Sequence, residues 1–459
     1  MPGIEVFDRV GSRVTPSNAS RSPRLHRLSR QFHLFPRRFW LLVAGTLLYL
    51  VAISLAFPYT PILLERRLHL SLAAVGLVMG GAALVGLPLQ PFAGSLSDRY
   101  GRRAVMLACA ACEAVAYLGL ALAHGFWPLM LLVFIDRGLG WPLFLTASNA
   151  MVADLVRARL RPQGYSLVRL MIGAGYVVGP LLAAAVLALG APLATLFLVA
   201  GAGCLAYFGF VLLALKETHP RAVRGRLASE VSEGPALFGA LSLFTAPGRL
   251  RARERRRARA QHGWRRVLGD RRFLAFCAVS LLPLFIFGQI YTTYPVLLTS
   301  YRHLPTATWG LLVSFIGLVI VLAQYPSVRL LRRLDPLYQV ALASLLFGLG
   351  VGLVAFVPLG WALLVTVAAL ALAQALFVPL STTIVSHLAS AELRGRYMGV
   401  WTLVWMAGAS ALGPLLGGLV LATLGPRESC YLVIALGLAG AGLYAVLRAK
   451  AGQRAGGAA

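Results

Sequence analysis

Residues 165–215 read YSLVRLMIGAGYVVGPLLAAAVLALGAPLATLFLVAGAGCLAYFGFVLLAL, with Arg169 as the one charge in the run. About 20 apolar residues suffice to cross a bilayer as a helix, so this run is too long for one crossing. It contains a break at Gly190-Ala191-Pro192, where a helix interior is least tolerated. The reading is therefore two spans joined by a tight turn. A second long run, 337–386, breaks in the same manner at Pro358-Leu359-Gly360. Backbone polar groups inside lipid must be satisfied within their own segment, which makes each span a helix.

Working outward from these runs gives twelve spans: 39–60, 71–93, 104–124, 127–152, 165–190, 191–215, 273–299, 307–327, 337–358, 361–386, 397–424 and 429–448. The expected fold is an all-α membrane protein. Composition agrees: 59% of residues are hydrophobic and 13% are charged, against about 25% charged in soluble domains.

Charge supplies an expected orientation. With both termini inside, the short inner loops 94–104, 153–164, 328–338 and 388–396 carry 11 arginines, and the outer loops carry 4. That bias follows the positive-inside rule and places the chain in a bacterial-type inner membrane. It also accounts for the net charge of +28. Nucleic acid is not an expected partner, because the basic residues are distributed over every inner loop. The chain divides into a basic cytoplasmic arm 1–38, a six-span unit 39–215, a basic central linker 216–272, a second six-span unit 273–448 and a tail 449–459. The arm lacks the short apolar core and cleavage site of a signal peptide. The linker block 249–259, RLRARERRRAR, suits anionic lipid headgroups; a short amphipathic surface helix, with 235–247 partly apolar, is the alternative.

Several chemistries are excluded. The two lysines, Lys216 and Lys450, are followed by Glu217 and Ala451, so no Gly-x-x-x-x-Gly-Lys-[Ser/Thr] phosphate loop exists. The five cysteines all lie in apolar runs and do not form a secreted disulfide framework. No cofactor, metal or catalytic constellation is expected, and the chain does not read as an enzyme.

The halves repeat. At a shift of 234 residues Pro61 meets Pro295, His69 meets His303, Gly76 meets Gly310, Gln90 meets Gln324, Arg99 meets Arg333, and Gly179-Pro180 meets Gly413-Pro414. Six spans is an even number, so both halves enter the membrane the same way round. The expectation is two six-helix bundles related by a pseudo-two-fold axis along the membrane normal, with a site between them.

The loop after span 2 reads Gly94-Ser-Leu-Ser-Asp98-Arg99-Tyr-Gly101-Arg102-Arg103. Gly94 permits close helix contact, Asp98 suits a helix N-terminus, and the arginines can clamp carboxylates. The pattern resembles the G-x-x-x-D-R-x-G-R-R signature of the major facilitator superfamily, and span 5, Gly175-Tyr-Val-Val-Gly179-Pro180, is similar to a motif of that family's twelve-helix drug:proton antiporters. Span 11 repeats it around Gly413-Pro414, whereas Ala183 and Ala184 replace the antiporters' double glycine. The resemblance implies a gating role for Gly94, Asp98, Arg99, Gly101, Arg102, Gly175, Gly179, Pro180, Gly413 and Pro414, with the first loop latching the halves on the cytoplasmic side. It also implies that spans 1, 4, 7 and 10 line a cavity, bringing Tyr49, Trp141, Asn149, Gln289, Tyr291, Tyr294 and Gln374 to the substrate.

Four charges lie inside spans: Glu113, Asp136, Arg137 and Arg169. Each is costly in lipid without a partner. A carboxyl whose proton affinity responds to desolvation and to a neighbouring arginine can act as a coupling switch. Asp136 or Glu113 is expected to exchange a proton, with Arg137 and Arg169 as charge partners; Asp136 and Arg137, being adjacent, are expected to point different ways. The overall expectation is a monomeric secondary transporter that exports small lipophilic compounds against protons. A uniporter or symporter for a polar metabolite, and a non-transporting sensor or lipid-handling factor on the same fold, are the alternatives.

Overall fold

The computed structural model describes residues 35–86, 93, 96–97, 99–218, 264–331, 333–390 and 393–456. Most of the expected N-terminal arm and central linker, together with Gly94 and Asp98, lie outside the described residues. Eleven helices are long and apolar enough to cross a membrane, and a twelfth, Leu72–Gly86, is shorter within the described range. In chain order they are α1 Arg37–Leu68, α2 Leu72–Gly86, α3 Arg102–Leu122, α4 Phe126–Leu155, α5 Arg161–Ala188 and α6 Leu193–Ala214. The second set is α7 Arg271–Gln289, α8 Thr306–Leu331, α9 Pro336–Ala355, α10 Trp361–Leu388, α11 Arg394–Leu424 and α12 Pro426–Gly456. Both expected turns occur: Gly190 takes φ 82° before α6, and Gly360 takes φ 145° before α10. Those conformations are open to glycine and strained for other residues.

Helix α1 departs from expectation by continuing past residue 60. Pro58 lies in a 3-10 turn, Phe57–Tyr59, and Pro61 lies in the first turn of the segment Thr60–Leu68. A proline there forfeits no helical hydrogen bond, so the chain bends and resumes its helix. The charged triplet Glu65-Arg66-Arg67 is thereby carried on a helix that projects towards the second half.

Helices α1–α6 pack as one bundle and α7–α12 as another. The repeat seen in the sequence has a backbone signature. The only non-glycine residues with positive φ among those described are His69 (50°) and His303 (54°), which are 234 residues apart. Each half also uses an arginine to tie down an inward neighbour. Arg67 donates to the carbonyls of Leu120 (2.7 Å), Ala121 (3.0 Å) and Ala123 (3.0 Å) at the end of α3. Arg302 donates to those of Ala355 (3.2 Å) and Val357 (2.5 Å) at the end of α9. Carbonyls at a helix end have no intrahelical donor, and a guanidinium satisfies several together. Arg67→Gln is expected to lower stability by about 2 kcal/mol, read as a fall in the melting temperature of the purified protein.

The halves meet where α2 crosses α11 and α5 crosses α8. Both crossings depend on glycine. A Cβ on Gly76 would overlap the Pro414 carbonyl, and one on Gly310 would overlap the Pro180 carbonyl. These contacts are exchanged by the same 234-residue shift. Hydrogen bonds reinforce this end: Trp309 Nε1 donates to Pro58 O (3.0 Å), Arg66 Nη2 to Thr306 Oγ1 (3.0 Å), Ser300 Oγ to Glu65 Oε1 (3.2 Å) and Ser314 Oγ to Val177 O (2.8 Å). All four of these cross-half bonds lie away from the arginine-rich loops, which are at the opposite end of the bundles.

Candidate functional site

A cavity of about 430 Å³ lies between the bundles, lined by residues of α1, α2, α3, α4, α5, α7, α8, α10 and α11. Its wall is largely aromatic and apolar, with Phe57, Met79, Trp141, Tyr176, Phe287 and Tyr291 among the lining residues. The polar groups are concentrated on the first half: Glu113 from α3 and Asp136 and Arg137 from α4. Gln374 of α10 faces them from the second half.

The acidic pair is held from behind by tyrosines. Tyr49 donates to Glu113 Oε1 at 3.1 Å, and Tyr117 donates to Asp136 Oδ1 at 3.0 Å. The other Glu113 carboxyl oxygen, Oε2, is buried without a hydrogen-bond partner among the described residues, as are Arg137 Nη2 and Gln374 Nε2. A buried polar atom left unpaired costs about 1–3 kcal/mol, so this concentration in one cavity marks a place built to receive something. Gly140 adds a steric requirement, since a Cβ there would overlap the Glu113 carboxyl.

Asp136 and Arg137 correct one expectation. They do not diverge: Arg137 Nε sits 3.2 Å from Asp136 Oδ2. Residues 136–140 form a π-helical turn, wider than an α-turn and frequent at functional sites. The long Arg137 side chain folds back over the Phe57 ring, 4.0 Å from its centroid, an arrangement favoured by the ring's negative face. Arg169 corrects another. It does not join the acidic pair, and among the described residues no ion pair connects it to an acid. It is exposed on α5, four residues before the lining residue Gly173 and hence on the same helical face. Asn149 is likewise exposed, on the α4 face that carries Trp141.

The remaining cavity expectations divide. Trp141, Tyr291 and Gln374 line the cavity. Tyr49 does not; it is fully buried behind Glu113 and stacks on Phe144 at 4.2 Å. Gln289 turns away to accept from Thr293 Oγ1 at 3.3 Å and packs against Gly417. Tyr294 is buried against Trp309 at 5.8 Å between centroids. Tyr117 was not anticipated, although it lies four residues after Glu113, on the same face of α3.

The gating residues also separate. Gly175 and Gly179 admit α1, where Ser54 Oγ donates to Gly175 O at 2.8 Å. Gly413 meets Gly288 of α7, while Pro180 and Pro414 face the seam between the halves. At the arginine-rich end Gly101 takes φ 96° and precedes α3. The Glu217 carboxylate accepts from the Arg102 and Arg103 amides at 3.0 and 3.1 Å. An anion is favoured at a helix N-terminus, and nothing in the local pattern around Glu217, after α6, points to its serving α3. Arg102 bonds Ser97 O (2.7 Å) and pairs with Asp154 (3.3 Å), while Arg99 lies 5.4 Å from the Tyr100 ring centroid.

The model of the Major Facilitator Superfamily matches residues 42–371 and 308–458. The chain belongs to that family. It is therefore an integral membrane transporter, from a family of transporters rather than enzymes. Among curated relatives it is 22% identical to an uncharacterized MFS-type transporter, YqjV, of Bacillus subtilis, covering 86% of this chain and 88% of that one. It is 23% identical to a Na(+), Li(+), K(+)/H(+) antiporter of Planococcus maritimus, covering 77% and 82%. It is 24% identical to the multidrug resistance protein MdtH of Salmonella typhimurium, covering 83% and 85%. Among solved structures, the nucleoside transporter NupG (D323A mutant) superposes with a TM-score of 0.69 at 14% identity, covering 90% of this chain and 100% of that one. A bacterial homolog of the lysosomal transporter Spinster, inward-facing and unoccupied, gives 0.65 at 14% identity, covering 89% and 96%. These likenesses concern the fold alone.

Proposed function

We propose that this transporter exchanges protons for small lipophilic compounds, exporting them by alternating access. The observation that carries the reading is the buried Glu113–Asp136–Arg137 set on the wall of an otherwise aromatic cavity. With both carboxyls ionised the set holds one net negative charge; with one proton bound it is neutral. Asp136 already pairs with Arg137, which leaves Glu113 as the acid that exchanges. A proton and a substrate then alternate at one place, and the aromatic wall takes the substrate's apolar body. The names of MdtH and of the Planococcus antiporter favour the same reading. The arginine-rich end is taken as cytoplasmic, which puts the hydrogen-bonded end of the seam on the outer side.

The test is purified protein in liposomes under an imposed pH gradient, with a panel of lipophilic dyes, drugs and sugars. Gradient-driven movement of lipophilic compounds, coupled to proton flux in the opposite direction, is the expected outcome. Movement of a polar metabolite with no response to the gradient would replace this reading with uniport.

A further inference from the structure

A second cavity, of about 840 Å³, lies outside the transport path at the arginine-rich end of the second half. Its walls come from three helices: Ala323, Pro326, Leu330 and Leu331 of α8, Leu342 of α9, and Leu372 and Leu376 of α10. At its mouth are Arg329 and Arg333. Both are exposed, and among the described residues neither forms an ion pair with an acid.

The depth can be read from helix geometry. Arg329 is two residues from the end of α8, and Leu376 and Leu372 precede the same-side end of α10, Leu388, by 12 and 16 residues. At 1.5 Å per residue α10 is about 42 Å long and overhangs the ~30 Å hydrocarbon layer, so the depth is better read on α8 and α9, where Ala323 and Leu342 lie roughly 9–12 Å from the helix ends beside the arginines. The crevice thus has two guanidiniums at headgroup level and a leucine-lined slot beneath them. The surrounding surface of α8 is apolar and open, with Leu322 64% and Leu330 80% exposed. This shape and charge are complementary to one molecule of the bilayer itself.

We propose that the α8–α9–α10 crevice is a specific site for an anionic phospholipid, its phosphate held between Arg329 and Arg333 and one acyl chain laid along Leu330, Leu342 and Leu372. Arginine binds phosphate in a bidentate, geometrically fixed manner, and basic side chains at the membrane surface attract anionic lipid. Because α8 also forms the seam with α5, a lipid wedged behind it would bear on the moving interface. The site is independent of the proton-exchange reading.

Native mass spectrometry of the full chain, released from nanodiscs of mixed phosphatidylglycerol and phosphatidylethanolamine, tests this directly. The wild type is expected to retain phosphatidylglycerol selectively, and Arg329→Gln/Arg333→Gln to bind it about 25-fold more weakly, at about fivefold per arginine. Leu372→Trp, at a partly buried wall position, fills the slot and leaves the arginines in place, and is expected to lose retention as well. Equal retention of the two lipids by the wild type overturns the proposal without recourse to any variant. So does unchanged retention in the double variant, or displacement of the lipid by soluble glycerol phosphate at equal concentration, which would make this a phosphate site and not a lipid site.

Discussion

Glu113→Gln is expected to abolish gradient-driven transport, with a fall of at least about 100-fold, while leaving the protein folded. Gln retains the side-chain oxygen that accepts from Tyr49, a bond of 3.1 Å in the native protein, and it fills the same space beside Gly140. What it removes is the ability to exchange a proton. The Glu113–Asp136–Arg137 set then stays neutral in every state, and substrate movement loses its link to pH. Asp136→Asn has a different signature. It leaves Arg137, whose side chain is 17% exposed, without the carboxylate 3.2 Å away. Removing one partner of a buried pair typically costs about 3–5 kcal/mol, so Asp136→Asn is expected to lower the melting temperature sharply as well as to reduce flux. Measuring melting temperature and pH-driven flux on both variants separates the roles. If Glu113→Gln retains full proton-dependent flux, Glu113 is not the exchanging acid; if Asp136→Asn melts like the wild type, the ion pair is not what holds α4 in place.

The sequence carried the spans because long apolar runs and the Gly/Pro breaks between them are local signals, each interpretable without its neighbours. The repeat was legible for the same reason: His69 and His303 could be matched by eye, and the backbone shows why, since both adopt a left-handed conformation. Side-chain direction was not legible. Helices such as α6 and α10 are apolar all round, so no periodicity says which face meets the cavity, which the partner bundle and which the lipid. Tyr49, Gln289 and Tyr294 were assigned to the cavity on helix membership alone, and all three turn into the protein. The Asp136–Arg137 pair escapes a reading by helical spacing because adjacent residues diverge on a helix, and it is the long Arg137 side chain, folded over Phe57, that returns its guanidinium to its neighbour. The extension of α1 past residue 60 carries Glu65, Arg66 and Arg67, charges that end an apolar run without ending a helix.

The extension of α1 sets up the other large effect. Trp309 is fully buried; its indole N–H spans the halves to Pro58 O at 3.0 Å, and its ring packs on Tyr294. It therefore belongs to the seam between the halves, and once α1 and α8 part it keeps Tyr294 but loses the Pro58 carbonyl. Trp309→Ala is expected to weaken closure by the roughly 3–5 kcal/mol typical of emptying a buried aromatic site. A shift of about 3 kcal/mol changes a two-state ratio about 150-fold, enough to convert a dominant closed form into a minor one. Spin labels on His124→Cys, in the α3–α4 turn, and on Leu359→Cys, in the α9–α10 turn, report the separation of the two bundles at that end; both positions are exposed. The distance distribution is expected to move from the short to the long population in Trp309→Ala. Trp309→Phe keeps much of the ring and removes only the hydrogen bond, so it is expected to produce a smaller shift, about tenfold for the unpaired Pro58 carbonyl. An unchanged distribution in both variants would mean that the seam is held by the glycine crossings at Gly76 and Gly310 alone. A collapse in melting temperature without any change in distance would make Trp309 a core residue of the second bundle and not part of a gate.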